Sequence, residues 1–131
     1  MKEKTAARRT GDMGEDAAER LLVRKGYQII ARNYRTAGGE IDIIAADKEF
    51  IVFAEVKTRN SVSVGRPSAW VDPAKQKRIM NTAFQFLQEN DCALQPRFDV
   101  IEIVLEKGTD HIVYIRHIEN AFSQSGDYAV F

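Results

Sequence analysis

At 131 residues, 44% hydrophobic and 29% charged, the chain suits one water-soluble globular domain that can build a core without disulfides or structural metal. Zero net charge argues against a protein that coats nucleic acid indiscriminately, and a single cysteine, Cys92, excludes an internal disulfide and a Cys-rich zinc site. No apolar run approaches the roughly 20 residues that span a bilayer, and the basic start Met1–Arg9 has no apolar stretch behind it, so a secretory signal and a membrane partner are not expected and the cytoplasm is the expected location.

Residues 1–13 read as a basic N-terminal segment, expected to be flexible, ahead of a domain over residues 14–122. Asp12-Met13-Gly14-Glu15 has the form of a capping box, which predicts a helix starting there. Ala17, Ala18, Leu21 and Leu22 make its apolar face and Gly26 ends it. Tyr27 to Tyr34 is rich in β-branched and aromatic residues and predicts a strand, followed by a turn at Thr36-Ala37-Gly38-Gly39. Glu40 to Ala46 and Phe50 to Lys57 are apolar strands joined at Asp47-Lys48-Glu49, the pattern of a hairpin. Thr58 to Val71 lacks periodicity and holds Gly65, Pro67 and four serines or threonines, as expected of a long loop of functional use.

Asp72-Pro73 is a helix start, Asp as the cap and Pro at the first helical position. The helix is expected to run to about Asn90, with Ile79, Met80, Ala83, Phe84 and Leu87 on its apolar face. Phe98 to Leu105 and His111 to Ile118 are two further strands around a turn at Lys107-Gly108-Thr109-Asp110, and residues 123–131 are a tail. The order helix, three strands, helix, two strands implies an α/β fold, one mixed sheet flanked by helices.

Alternation along the strands places the chemistry. In Glu40-Ile41-Asp42-Ile43, Glu40 and Asp42 are expected on one face and Ile41 and Ile43 on the other. The face bearing Ile51 and Phe53 ends in Glu55 and Lys57, an acid and a base at the end of an otherwise apolar strand, where charge is costly unless paired or bound to metal. A hairpin brings Asp42 alongside. One reading is a buried salt bridge of Lys57 with Glu55 or Asp42. The other is a Mg²⁺ or Mn²⁺ site, since these ions take hard oxygen ligands and need only one or two carboxylates. Such an ion makes a nucleophile of water, and Lys57 would orient that water or offset charge on a phosphate.

Charge is unevenly spread. Lys57 to Arg78 holds six basic residues against one acid, whereas Ile101 to Phe131 holds five acids against two basic residues. Arg59, Arg66 and Lys75 in the basic block are candidates for phosphate contact, against the plainer reading of solvated surface. Zero net charge favours a homodimer or a partner that supplies further contacts.

The Asp42…Glu55-Val56-Lys57 set resembles the PD-(D/E)XK nuclease superfamily. The wider pattern resembles the YraN-like family of bacterial proteins, with an endonuclease-like fold related to archaeal Holliday junction resolvases. It is carried by Gly14-Glu15, Ala31-Arg32-Asn33-Tyr34-Arg35, Gly39-Glu40-Ile41-Asp42, Phe53-Ala54-Glu55-Val56-Lys57-Thr58-Arg59, Lys75-Gln76, Arg97-Phe98-Asp99-Val100 and Asn120-Ala121-Phe122. The resemblance implies a restriction-endonuclease-like mixed sheet and a metal-dependent endonuclease acting on DNA, branched or junction DNA among its substrates. It implies Asp42, Glu55 and the Val56 carbonyl as metal ligands, Lys57 as the catalytic lysine, and Glu15 and Gln76 as further site residues. Ile41 stands where the superfamily's Pro would precede Asp42. A nucleic-acid-binding or repair accessory protein that keeps the fold without cutting is the alternative.

Other residues read more plainly. Glu15 is also the closing residue of the capping box, Asp99 is expected to pair with Arg97 or a neighbouring helix, and Trp70 is a hydrophobic staple or a stacking platform. His111 and His117 have no acidic or Cys partner at metal-ligand spacing, Cys92 is expected to be inert, and no Walker-type glycine loop implies ATP.

Overall fold

A computed structural model describes residues 5–60 and 70–123. Arg66, most of the expected loop, the first four residues and the tail from residue 124 lie outside the described residues. The chain folds as α1 (Ala6–Arg24), β1 (Gln28–Thr36), β2 (Gly39–Ala46), β3 (Phe50–Asn60), α2 (Pro73–Glu89), β4 (Gln95–Leu105) and β5 (Ile112–Phe122). The strands form one sheet in the order β1-β2-β3-β4-β5. All neighbours are antiparallel except β3 and β4, which run parallel in an unbroken register from Phe50↔Gln95 to Asn60↔Leu105. This is the restriction-endonuclease-like α/β arrangement, a mixed sheet between two helices. Among the described residues no helix is long and apolar enough to cross a membrane.

Each helix covers one face. Ile79, Ala83 and Phe86 of α2 pack on Ile41, Ile44, Ile51, Phe53, Phe98, Val100 and Phe122. Phe98 stacks on both Phe53 and Phe122, so three strands share one aromatic column. On the other face Ala17, Ala18 and Leu22 of α1 cover Ile43, Ala45, Val52, Ala54, Ile101 and Ile103.

Three expectations need correction: the start of α1, the alternation in β2 and the start of the loop expected from Thr58. The capping box at Asp12 does not start α1. Thr5 does, its side chain accepting the Arg8 amide, and Glu15 lies in the middle of the helix. Gly11, Asp12 and Gly14 are poor helix formers and imitate a boundary. Gly14 is there for contact: a Cβ on it would sit 1.9 Å from Thr58 Oγ1 of β3. The alternation in β2 also breaks. Ile41 and Ile44 join the core under α2 while Ile43 and Ala45 join the core under α1. Asp42 stands at the change of face, and Asn33, between the Arg32–Ile43 and Tyr34–Ile41 pairs of the adjoining strand, has φ +52°. β3 runs to Asn60, beyond its apolar stretch, because Thr58, Arg59 and Asn60 continue the ladder with β4.

At the other end of the sheet a charge network ties chain ends together. Arg97 grips Asp99 with two hydrogen bonds of 2.9 and 2.8 Å and donates to Tyr27 Oη. Asp99 also meets His117 Nε2 at 2.7 Å and accepts the Asn120 amide, while Lys25 Nζ lies 2.8 Å from His117 Nδ1. The expected Arg97–Asp99 pair is therefore present, and His117 has an acidic partner that sequence spacing does not reveal.

Gly14→Ala should lower the unfolding midpoint, since forced overpacking costs about 1–3 kcal/mol and exceeds the roughly 1 kcal/mol that alanine adds in a helix. Thr58→Ala in the same chain should restore it. Thermal unfolding of the two single variants and the double variant measures the coupling, and additive effects would mean that α1 does not rest on Thr58.

Candidate metal and nucleic-acid site

Three elements bring the singled-out side chains together. Asp42 leaves β2 where the alternation breaks, and its Oδ2 accepts the Val56 amide of β3 at 2.8 Å. Glu55 follows Phe53 on the face covered by α2 and is 6% exposed. Asp72 caps α2 by accepting the Lys75 amide, and this first turn carries the Lys75 ammonium to Glu55 Oε1 at 2.5 Å. Lys57 donates to the Trp70 carbonyl. The salt bridge expected of Lys57 is thus made by Lys75 instead, a contact that depends on where α2 lands and not on spacing along β3.

The electrostatics follow from burial. Asp42 is pushed up from 3.8 to about 7, first by desolvation and then by repulsion from Glu55, with a smaller push from Glu15; the Val56 amide and the Lys75 charge oppose this. Burial lowers Lys57, and the nearby Glu55 charge offsets part of the drop. Burial also works against the charge on Lys75, yet its hydrogen bond and attraction to Glu55 outweigh that and leave it raised.

The remaining candidates are placed as follows. Glu15 shares a cleft of about 360 Å³ with Asp42, Glu40, Arg8, Asn33 and Arg35. Its Oε1 is 3.4 Å from Arg32, which also holds Asp16 at 2.7 Å. Gln76 is buried at the entrance of α2 and donates to the Val71 carbonyl at 2.8 Å, so its amide nitrogen serves the backbone. Arg59 donates to the Asn60 carbonyl and lies beside Glu102, a buried acid of β4 that no sequence pattern singled out. Strand pairing alone could have found it, since Glu102 is the cross-strand partner of Lys57.

Among the described residues no three His, Cys, Asp or Glu side chains gather closely enough to hold a metal ion unaided. Two carboxylates that repel each other, one of them drawing in an ammonium, nevertheless form a hard-oxygen set that fits Mg²⁺ or Mn²⁺, for which one or two carboxylates suffice.

The mixed sheet and its two covering helices define a protein of the restriction-endonuclease-like fold class. The chain belongs to the uncharacterised protein family UPF0102, the YraN-like family, which matches residues 14–103. It is 47% identical over 120 residues to a UPF0102 protein of Prosthecochloris aestuarii, covering 86% of this chain and 91% of the relative. It is 45% identical over 117 residues to UPF0102 protein STH1475 of Symbiobacterium thermophilum, 88% and 98% of the two chains. A UPF0102 protein of Trichlorobacter lovleyi is 43% identical over 116 residues, 86% and 88% of the two chains.

The Asp42 shift makes a pH prediction. A carboxyl whose folded pKa is raised favours folding below its unfolded value, and that contribution is lost as pH rises from about 4 through about 7. In chelator, the unfolding midpoint should fall across this window, and Asp42→Asn should flatten the fall and be relatively more stable at pH 8. Parallel pH profiles for the two proteins would show that Asp42 is not held in a repulsive, desolvated site.

Proposed function

We propose that the protein is a Mg²⁺- or Mn²⁺-dependent endonuclease that hydrolyses phosphodiesters in DNA, with branched or junction DNA as the substrate class that the family resemblance suggests. One observation carries the reading: Asp42 and Glu55 are held together in a partly dry site where Asp42 stays raised to about 7 although the Val56 amide and Lys75 oppose the shift, with a lysine of α2 drawn onto Glu55. Structural carboxylates are ordinarily satisfied, as Asp99 is here. A perturbed acid in a cleft, as Asp42 is, marks where chemistry concentrates.

Asp42 and Glu55 would hold the ion, with the Val56 carbonyl as a third donor. When bound, the ion supplies positive charge that acidifies water and offsets charge on a phosphate. The Lys57 ammonium, oriented by the Trp70 carbonyl and sensitised by burial, would balance the charge that grows on the phosphate as the water oxygen attacks phosphorus and the bond to the leaving oxygen breaks. Arg59, Arg66 and Lys75 would contact phosphates. Glu15, in the cleft with Asp42, would adjust the site's charge, and Gln76 would hold the entrance of α2 in place.

A second reading has its own observation. The Lys75–Glu55 pair already balances one acid without metal, as suits a nucleic-acid-binding or repair accessory protein that keeps the fold and does not cut.

Lys57→Met separates the two. It keeps the aliphatic stem and removes the charge. For an enzyme, cleavage of duplex, single-stranded or four-way-junction DNA in Mn²⁺ should fall by two orders of magnitude or more. DNA affinity in chelator should change little, since the group acts in the transition state. No cleavage by the wild-type protein on any of these substrates, with Mg²⁺ or Mn²⁺, would reject the endonuclease reading and leave the accessory one.

A further inference from the structure

We propose that Tyr114 and Arg59, organised by buried Glu102, form a subsite that stacks one unpaired base of a nucleic-acid strand whose backbone passes the Asp42–Glu55 pair. This rests on the nucleic-acid reading above and deepens it by naming a feature of the substrate.

Glu102 is 1% exposed in the middle of β4, where an unpaired charge would be very costly. Its Oε1 accepts from Tyr114 Oη at 3.2 Å, and its Oε2 lies 3.7 Å from Arg59 Nε. Arg59 Nη2 in turn reaches Tyr114 Oη at 3.5 Å. The three side chains therefore meet on one face of the sheet, from three adjacent strands. Glu102 Oε2 and Arg59 Nε are both buried and have no hydrogen-bond partner among the described residues. The guanidinium is thus held near the carboxylate without being locked to it, which suits a group that must turn towards an arriving phosphate.

Tyr114 supplies a different surface. It is 44% exposed, and among the described residues it is the one exposed Phe, Tyr or Trp. It stands on β5, the edge strand of the sheet among the described residues. Its hydroxyl is tethered and its ring is open to solvent. A fixed ring beside an arginine is the pairing that recognises a base face with its phosphate. Glu55, Lys57 and Arg59 follow each other on β3, so the same face runs from the acid pair to this ring. Asp42 and Tyr114 are three strands apart and offset by four residues along them, roughly 19 Å at the usual spacings, a span of a few nucleotides. Bases inside a duplex have no free face, so the subsite selects single-stranded, frayed or junction-proximal bases. Glu102 is a positioning residue here, acting through Tyr114 and Arg59.

The test is fluorescence anisotropy in chelator, with the full chain and two labelled probes, a twelve-nucleotide oligothymidylate and a blunt twelve-base-pair duplex. Tyr114→Leu keeps apolar bulk on the strand and should weaken oligothymidylate binding by roughly ten- to a hundredfold while leaving duplex binding nearly unchanged. Tyr114→Phe should retain most of the single-strand affinity. The slope of affinity against salt should be unaltered by Tyr114→Leu and should drop by roughly 0.7 in Arg59→Ala, which removes a phosphate contact. Equal losses on both probes, equal effects of Leu and Phe, or a Tyr114→Leu effect on sedimenting mass in place of binding would overturn the subsite, the last by making β5 a protein interface. If wild type binds both probes and Tyr114→Leu changes nothing, only this inference falls. If wild type binds neither probe at low salt, the nucleic-acid reading falls with it.

Discussion

The parallel ladder between β3 and β4 is the constraint on which the rest depends. Antiparallel neighbours can be joined by a tight turn, as β2 and β3 are, with Asp47 Oδ1 accepting the Glu49 and Phe50 amides. A parallel pair needs a crossover that carries the chain back to the starting end, and α2 is that crossover. Its first turn must therefore begin near the carboxyl end of β3. That is why Lys75 meets Glu55 and why the Trp70 carbonyl, just before the helix, receives Lys57. Open α/β sheets bind ligands at the carboxyl ends of their strands for the same topological reason.

Three buried or half-buried acids on this sheet have different fates, and the differences sort structure from chemistry. Asp99 accepts from Arg97, Asn120 and His117; despite its burial, those contacts hold it below the usual carboxylate range. It is a fastening, and losing a partner would leave a charge stranded. Asp42 has one backbone amide and two acidic neighbours, and it is raised. Glu102 stands between, one oxygen bonded to a phenol and the other facing an arginine beyond hydrogen-bond reach. Of these three, Asp42 and Glu102 are incompletely satisfied and Asp99 is satisfied.

Much of the architecture was legible because the signals were local. Asp72-Pro73 marks the start of α2, and the period of Ile79, Ala83 and Phe84 marks its length. Alternation in Ile51, Phe53 and Glu55 placed the acid on the buried face. Alternation failed at Asp42 because β2 changes face there, opposite a left-handed Asn33, and no spacing rule announces such a break. The sequence places the start of α1 too late because Gly14, required by its direct contact with Thr58, looks like a boundary when the sheet is unknown. The contact of Lys75 with Glu55, and the places of Glu102 and Tyr114 beside the site, come only from the crossover and the β3–β4 and β4–β5 registers, all non-local. The family matches reach the same stretch of chain from outside and say nothing of the chemistry.

The Asp99 network has a consequence for how the chain reaches its final form. Its members are far apart in sequence: Tyr27 and Arg97 are separated by 70 positions, Lys25 and His117 by 92. Contacts of such long range are closed late, since loop closure must precede any gain from them, and a high contact order slows folding. During synthesis α1 and the β1–β3 hairpins can collapse as soon as they emerge. Asp99 then waits for His117 and the Asn120 amide while β4 stands as an unpaired edge. Until β5 emerges and docks, the nascent chain carries both an acid with Arg97 alone to pair it and a strand open to foreign pairing. The last strand is in effect a latch, and a ribosome that stalls before it would leave a chain prone to aggregate.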